Sequence, residues 1–412
     1  MQHAEIAIIG SGIVGLSCAF YLQRAGHDCL LIDSRGFGQE ASFGNAGALS
    51  FANVFPQATP GVAWQGLRML LDRDAPLKLD FAAWTAWMGW LRRFVRAGRA
   101  DRVEAIIPAL HAINAISRSA WLELARSIDA HALLEETGYL HLYSEAANFT
   151  ADAWKRERYE RLGIRYRVLD ASQLHELEPN LGDGFVQGVL QEDALALRDP
   201  GAFCQRLGAA LVEQGAGVVR ARAQRIKRDA GGYQIDTDHG QLTARRIVLA
   251  TGSRINELLR GFAPPLPVIA GRGYHLMYPA QHNVLQRPML WLERYIVLSP
   301  MNTGIRLAGL KDLTRPDRAP RFRFIERRQA DARHMLPALQ GEPVSAWHGD
   351  RPLTPDSLPI IDRLDNGGMF LATGHGHLGM TQGPATGKLI AEMVDGSGPS
   401  IALHPYRHTR FS

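Results

Sequence analysis

The sequence predicts an α/β chain of two domains. One packs helices on a parallel sheet; the other is an α+β domain on a mostly antiparallel sheet. Three observations predict this. Residues 6–33 read strand, glycine-rich turn, helix, strand and acid, within the length of one βαβ unit. Residues 246–252 and 369–387 each present an apolar strand that runs into glycines. Residues 274–308 hold four short strand-like runs whose links are too short for parallel crossovers.

In the first stretch, residues 6–9 are a short apolar run, as a buried parallel strand requires. Gly10, Gly12 and Gly15 follow at the G-x-G-x-x-G spacing, with Ile13 and Val14 opening a helix over residues 13–25. Gly26 ends that helix, and a second strand over residues 29–32 closes on Asp33. Each part has a task on a dinucleotide. Gly10 permits the tight turn, Gly12 lets a pyrophosphate approach the backbone, and Gly15 lets helix and strand pack closely. The helix N-terminus offers free N–H groups and a positive dipole end. Asp33 stands where a carboxylate accepts ribose hydroxyls, with Ser34 and Arg35 beside it. This is a Rossmann-like arrangement. An acid at this position disfavours a 2′-phosphate and hence NADP.

At 412 residues the chain has room for two domains, and 46% hydrophobic with 21% charged residues is ordinary for a soluble enzyme. No apolar run reaches the length of a membrane span, and no signal-peptide pattern precedes the first strand. The expected location is cytoplasmic, with peripheral contact at the inner membrane left open. The three cysteines, Cys18, Cys29 and Cys204, lack metal-ligand spacing and read as packing residues. The net charge is +5, but the Arg-rich stretches 220–228 and 315–328 alternate with apolar and acidic residues. They read as solvated faces, so no nucleic-acid partner is expected.

Farther along, residues 64–129 are helical and aromatic. Phe81, Trp84, Met88, Leu91 and Val95 share one face, and Arg92, Arg96 and Arg99 another. The first face is expected to pack on its own domain; the competing arrangement lays the helix on a membrane, Trp at headgroup level. Pro108 is expected to break the chain before a second helix over residues 111–129. Residues 139–143 alternate as a strand, 151–162 read as helix and 164–169 as strand. Pro200 opens a helix over 201–213. Residues 217–249 read as consecutive strands turning at Gly231-Gly232 and His239-Gly240. Pro264, Pro265 and Pro267 mark a crossing to the second sheet, whose strands are expected at 274–277, 289–292, 295–298 and 305–308. A helix over 325–335, a return over 344–361, a strand at 369–373 and a last helix over 383–393 complete the chain.

Later motifs extend the nucleotide site. SFGNAG brings Ser42, Asn45, Ala46 and Gly47, small residues whose backbone can donate to a phosphate or a flavin edge. RIVLATG ends a strand at Ala250, Thr251 and Gly252. TGHGHLGMTQGPATG carries Gly376, His377, Leu378, Gly379 and Met380 between a strand and a helix, where N–H groups suit a site of developing negative charge. His375 and His377 have no carboxylate or cysteine near them in sequence, so no metal is expected. In WHGDRPLTPDSLPII, prolines hold Arg351 on a rigid segment, and a planar guanidinium there suits bidentate capture of a carboxylate.

Together GSGIVG with Asp33, SFGNAG, LATG, YIVLSPMNTGIRLAG, GDRPLTPDSLPII and TGHGHLGMTQGPATGKL resemble the FAD-dependent D-amino acid oxidase superfamily over nearly the whole chain. Within it the chain looks like the bacterial D-amino acid dehydrogenases and the D-hydroxyproline dehydrogenase-like proteins. The resemblance implies an FAD-binding domain from residues 1–50, 160–262 and 345–405, and a substrate domain from 51–159 and 263–344. It implies that Arg351 holds the substrate carboxylate, with Tyr274 as a substrate-side aromatic. With no cysteine near the C-terminal motifs, FAD is expected to be noncovalent. The implied reaction is hydride transfer from Cα of a D-amino acid, with D-proline and D-hydroxyproline among the candidates, to flavin N5, with electrons passed to a quinone or another acceptor. Competing activities are an oxygen-using oxidase of a D-amino acid, glycine or N-methyl amino acid, and an FAD-dependent 2-hydroxyacid dehydrogenase.

Overall fold

The computed structural model of the chain describes residues 2–62, 77–80, 84–364 and 368–411. Its first sheet has a parallel centre. The Gln2–Ile9 strand lies between Cys29–Ile32 and Gly240–Leu249, with Gly217–Val219 beyond the first and Met369–Thr373 beyond the second. Ile6, Ala7, Ile8 and Ile9 are all buried, as a strand covered on both faces must be. The Ala223–Asp229 and Gly232–Thr237 hairpin adds antiparallel strands at one side. The helices Ile13–Arg24 and Gly379–Asp395 cross closely on one face. A Cβ on Gly387 would lie 2.3 Å from Ser17 O, so glycine sets that approach.

Among the described residues the second sheet has nine strands. Its main order is Ser345–Leu353, Ile269–Tyr278, Gly304–Leu313, Ile296–Met301, Met289–Trp291, Tyr139–Tyr143, Gln187–Gln191 and Tyr166–Asp170, with Leu77–Leu79 beside Gly304–Leu313. Pairing is antiparallel except for Leu77–Leu79 with its neighbour and Met289–Trp291 with Tyr139–Tyr143. The mostly antiparallel sheet expected from sequence is therefore present. Three strands cross the expected boundaries. Tyr166–Asp170, Gln187–Gln191 and Ser345–Leu353 all pair within this sheet, although their sequence segments pointed to the nucleotide domain. Such pairing is non-local and leaves no mark in a local pattern.

Several helices differ from expectation. Helix Ala100–Ser127 runs unbroken through Pro108. Pro108 and Glu104 are both exposed, so water can take the carbonyl that Pro108 leaves without an N–H partner. The buried stripe Val103, Ile107, Leu110, Asn114, Trp121 and Leu124 holds the helix against the first core. The 325–335 helix is two pieces, Arg323–Glu326 and Gln329–Met335.

In helix Trp84–Ala97 the packed residues are Trp87, Trp90 and Phe94, with Leu91 alone of the expected face joining them among the described residues. Trp87 Nε1 donates to Asp80 O at 3.1 Å and Trp90 Nε1 to Leu353 O at 3.0 Å. Burying those indoles satisfies their only donors, which decides between two apolar faces of similar strength. Trp84, Met88 and Val95 are left exposed, as are Arg92 and Arg96. Trp64 and Phe81 lie outside the described residues.

The last helix begins at Gly379, four residues before the expected start, and contains Pro384. Pro384 cannot donate to Met380 O. Trp121 Nε1 takes that place, 3.0 Å from Met380 O and 3.0 Å from Thr381 O. Trp121→Phe is expected to destabilise the fold by about 1–3 kcal/mol or more, because a buried carbonyl loses its partner and the smaller ring leaves part of the indole's space unfilled. Chemical denaturation checks this; an unchanged midpoint would mean that another donor replaces the indole.

Candidate active site

The nucleotide cradle is built from four separated segments. Gly10 has φ +105°, and a Cβ there would lie 2.4 Å from Ala250 O. Gly15 packs helix on turn so closely that a Cβ would lie 1.9 Å from Gly10 O. Gly12 is the N-cap of helix Ile13–Arg24 and offers no side chain to its amides. Ile13 N donates instead to Ser42 Oγ at 3.0 Å, which ties the second motif to the first. Val14 is half-buried on the first turn. Asp33 Oδ2 accepts from Ser11 N at 2.8 Å and Oδ1 from Arg35 N at 2.8 Å, so the carboxylate is fixed in place at the strand end. Ser34 and Arg35 are exposed at the rim, Arg35 pairing with Glu40.

Asn45 Oδ1 accepts from Gly47 N at 2.8 Å, closing the Ser42–Ala46–Gly47 turn. Thr251 Oγ1 is buried without a partner beside Ala250 and Gly10. Gly252 O accepts from Thr373 Oγ1 at 2.9 Å, joining the third segment to the strand before the fourth. Gly376 N donates to Pro352 O at 2.8 Å, and Leu378 caps helix Gly379–Asp395 without a side-chain bond. Gly383 then packs on Ile13. Glycine clearances, a helix start without its own side-chain cap and an orphaned hydroxyl fit a dinucleotide laid along this edge.

The second sheet meets the cradle at the Ser42–Gly47 turn. Gly44 packs so tightly that a Cβ would lie 1.8 Å from the Trp347 ring, and His275 stacks on Trp347 at 5.1 Å. Arg306 donates to the carbonyls of Phe43 (3.0 Å) and Asn45, fixing that turn from the other side. Burial lowers His275 to about 3, so its ring is neutral.

Strand register sorts the remaining residues. Gly271, Gly273 and His275 pair with Arg351, Gly349 and Trp347, so all six share one face. Arg272 and Tyr274 pair with Asp350 and His348 on the opposite face. Tyr274 is therefore not beside Arg351, contrary to the expectation. Its hydroxyl donates to Asp312 Oδ2 at 2.8 Å and accepts from Arg321 N at 3.1 Å in the second core. Strand alternation, not distance along the chain, separates it from Arg351.

Arg351 lies across the neighbouring strand. A Cβ on Gly273 would fall 2.3 Å from its guanidinium carbon, and its Nη1 donates to Leu310 O at 3.0 Å. Leu310 stands at φ +64° within a β-bulge: Arg272 pairs with Asp312 but Tyr274 with Gly309, so two residues oppose Gly273. The extra residue turns Leu310 into the second core and Lys311 to the Arg351 face. Lys311 donates to Gln57 Oε1, and Gln57 Nε2 donates to His377 Nδ1 at 2.6 Å. The other ring nitrogen, His377 Nε2, lies 2.9 Å from Asn53 Nδ2, so side-chain amides contact both nitrogens of the ring. Asn114 donates to Asn53 O and accepts from Gln382 Nε2, continuing the chain to the last helix.

Lys311, Arg351, His377 and Gln57 each keep partial accessibility. Protein nevertheless surrounds the first three closely enough to shift them. Partial accessibility leaves them able to meet a small molecule. Burial lowers His377 to about 3, with Lys311 and Arg351 adding to it. Burial and Arg351 lower Lys311 to about 7, and burial lowers Arg351 to about 10, which leaves the guanidinium charged at neutral pH. Among the described residues no carboxylate pairs with Arg351 or Lys311. A cationic, acid-free space is built for an anion. Among the described residues no metal-binding group of His, Cys, Asp and Glu occurs. Sequence reasoning missed Lys311, Gln57, Asn53 and Arg306. One signal was available: by strict alternation Lys311 shares parity with the core residue Leu307, and a lysine on a core face announces a bulge.

Comparisons with known proteins show the family and the fold. The profile of the family DAO, FAD dependent oxidoreductase, matches residues 5–393. A D-amino-acid oxidase of Bradyrhizobium diazoefficiens is 31% identical, covering 100% of this chain and 99% of that protein. A D-amino acid dehydrogenase of Methylobacterium nodulans is 30% identical, covering 99% of each. Among solved structures, glycine oxidase from Geobacillus kaustophilus superposes with a TM-score of 0.80 at 21% identity, over 100% of this chain and 99% of that one.

Proposed function

Because the chain belongs to the DAO family of FAD-dependent oxidoreductases, we propose that it oxidises a D-amino acid held by its carboxylate on Arg351. The observation that carries this reading is the Arg351–Lys311 pair: two cationic side chains on one face, with no acid among the described residues to neutralise them. A carboxylate takes up both the charge and the fork geometry of the guanidinium. Gly273 and Gly349 lie on the same face, and the lack of a side chain at each lets the Arg351 guanidinium and the Trp347 ring lie over the strands.

In this reading FAD lies along the cradle, its pyrophosphate at Gly10, Gly12, Ile13, Val14 and Gly15 and its ribose at Asp33. The turn Ser42, Asn45, Ala46 and Gly47, the strand end Ala250, Thr251 and Gly252, and the helix start Gly376 to Met380 hold the rest. Bound FAD supplies a two-electron acceptor for the Cα hydride. The protein's own part is to fix the carboxylate so that the Cα–H has one orientation, and to keep the nitrogen neutral. Noncovalent attachment is supported by the cysteines. Cys18, Cys29 and Cys204 are all buried, and burial raises Cys29 and Cys204 to about 12.

Anaerobic addition of a panel of D- and L-amino acids and 2-hydroxy acids tests the reading. Loss of the yellow absorbance is expected with D-amino acids. Bleaching by L-amino acids or hydroxy acids alone would overturn it. Electrons are proposed to pass to a quinone or another acceptor, so turnover with a soluble quinone should exceed peroxide formation in air.

No described helix is long and apolar enough to cross a membrane. Peripheral contact is supported by the outward face of helix Trp84–Ala97, where exposed Trp84, Met88 and Val95 neighbour exposed Arg92 and Arg96. The chain is expected to float with anionic vesicles at low salt. The pair Trp84→Ala and Met88→Ala should weaken this about tenfold or more while leaving activity on a soluble acceptor unchanged. Flotation unaffected by both changes would remove this face from consideration.

A further inference from the structure

Resting on the reading of Arg351 as the carboxylate holder, we infer that Lys311 is the proton acceptor for the ammonium group of the amino acid substrate. The geometry places it there. Arg351 crosses Gly273 to reach Leu310 O, the carbonyl immediately before Lys311, so the guanidinium ends beside that residue. In an α-amino acid the nitrogen is one carbon from the carboxylate. A carboxylate on Arg351 therefore delivers its ammonium group to the neighbours of Arg351. The bulge at φ +64° turns Lys311 to this face, while Asp312 stays on the other with Tyr274 and Arg321. Backbone irregularity that re-aims one side chain into a site is a frequent use of bulges.

The surroundings of Lys311 lower it to about 7, so the neutral form is present before substrate arrives and prevails as the pH rises above 7. Arg351 faces it from the Ser345–Leu353 strand. His377, neutral, lies behind Gln57, and the Leu77–Leu79 strand on its other side pairs Leu77 with Lys311. No carboxylate among the described residues acts on it. A neutral amine spends one N–H on Gln57 Oε1 and keeps a lone pair. Substrate enters as a zwitterion. One ammonium N–H bond breaks, its electron pair stays on the substrate nitrogen, and Nζ forms a new N–H bond with its own lone pair. The charge created on Lys311 then lies beside the substrate carboxylate. The freed nitrogen pair is what the departing Cα hydride requires to form C=N. When product leaves, Arg351 again opposes the charge, and Lys311 returns its proton to solvent.

Two measurements test this on the FAD-loaded enzyme. In the first, kcat/KM is followed against pH. The wild-type profile should be flat above pH 7 up to the pKa of the substrate ammonium group, since the transfer is internal. Lys311→Met must wait for the free amine, so its kcat/KM should rise about tenfold for each pH unit over that range. Lys311→Arg keeps the charge but accepts no proton, and should show the same slope. A flat profile in either variant would overturn the assignment. In the second, propionate is titrated calorimetrically at pH 8 in buffers of different ionisation enthalpy. Propionate has the carboxylate but no ammonium group, so wild-type enzyme should take up close to one proton on binding it, and Lys311→Met none. Binding of propionate to wild-type enzyme without proton uptake would also overturn the assignment. Normal propionate binding by Arg351→Ala would instead reject the carboxylate reading of Arg351. If Arg351→Ala loses propionate and Lys311→Met keeps a flat profile, only the role of Lys311 fails.

Discussion

Arg351→Ala is expected to retain its fold and its FAD while kcat/KM falls about a hundredfold or more. Among the described residues the guanidinium makes one hydrogen bond, to Leu310 O, and it lies over the backbone of Gly273. Little of the fold depends on it. Among the described residues, a substrate carboxylate deprived of it would keep only Lys311 as counter-charge. Losing a charge-assisted bidentate contact of this kind costs about 2–4 kcal/mol, and about 1.4 kcal/mol is tenfold in rate. Much of the loss should fall on KM, with a further loss in kcat if the contact also aims the Cα–H. Arg351→Lys keeps the charge but loses the fork, and should also be poor. Steady-state kinetics with FAD content measured in parallel check this. Near-normal kinetics would show that the carboxylate is held elsewhere.

Gly15→Ala is expected to weaken FAD binding about tenfold to a hundredfold and to lower the melting temperature of the holoprotein. The new Cβ would stand 1.9 Å from Gly10 O and 3.3 Å from Ala250 Cβ. Gly10 cannot yield, because its φ of +105° and its approach to Ala250 O already fix the turn. The helix must move outward, carrying the amides of its first turn away from the phosphates. Overpacking of this kind costs about 1–3 kcal/mol, and the displaced amides lose affinity in addition. Fluorescence titration of the apoprotein with FAD and thermal denaturation with and without FAD measure the two effects. Gly89→Ala is the control, since a Cβ there meets nothing within 4 Å. If Gly15→Ala binds FAD as the unaltered chain does, the cradle is not where the pyrophosphate rests.

By itself the sequence determined the nucleotide half of this protein. A G-x-G-x-x-G turn, its flanking apolar runs and the closing acid are local, so the Cys29–Ile32 strand has the expected bounds and helix Ile13–Arg24 ends within a residue of them. Arg351 was legible for the same reason, as one planar cation on a proline-stiffened segment. What only tertiary structure decided depends on partners far away in the chain. Pro384 is tolerated inside a helix because Trp121, more than two hundred residues earlier, donates to the carbonyl left over. Trp87 and Trp90 rather than Trp84 and Met88 face inward because carbonyls of Asp80 and Leu353 await their indoles. Tyr274 is turned from Arg351, and Lys311 toward it, by the registers of three neighbouring strands and one bulge. A period of two says which residues share a face, but which face meets the cradle, and where the count slips by one, is settled by pairing energy summed over the assembled sheet.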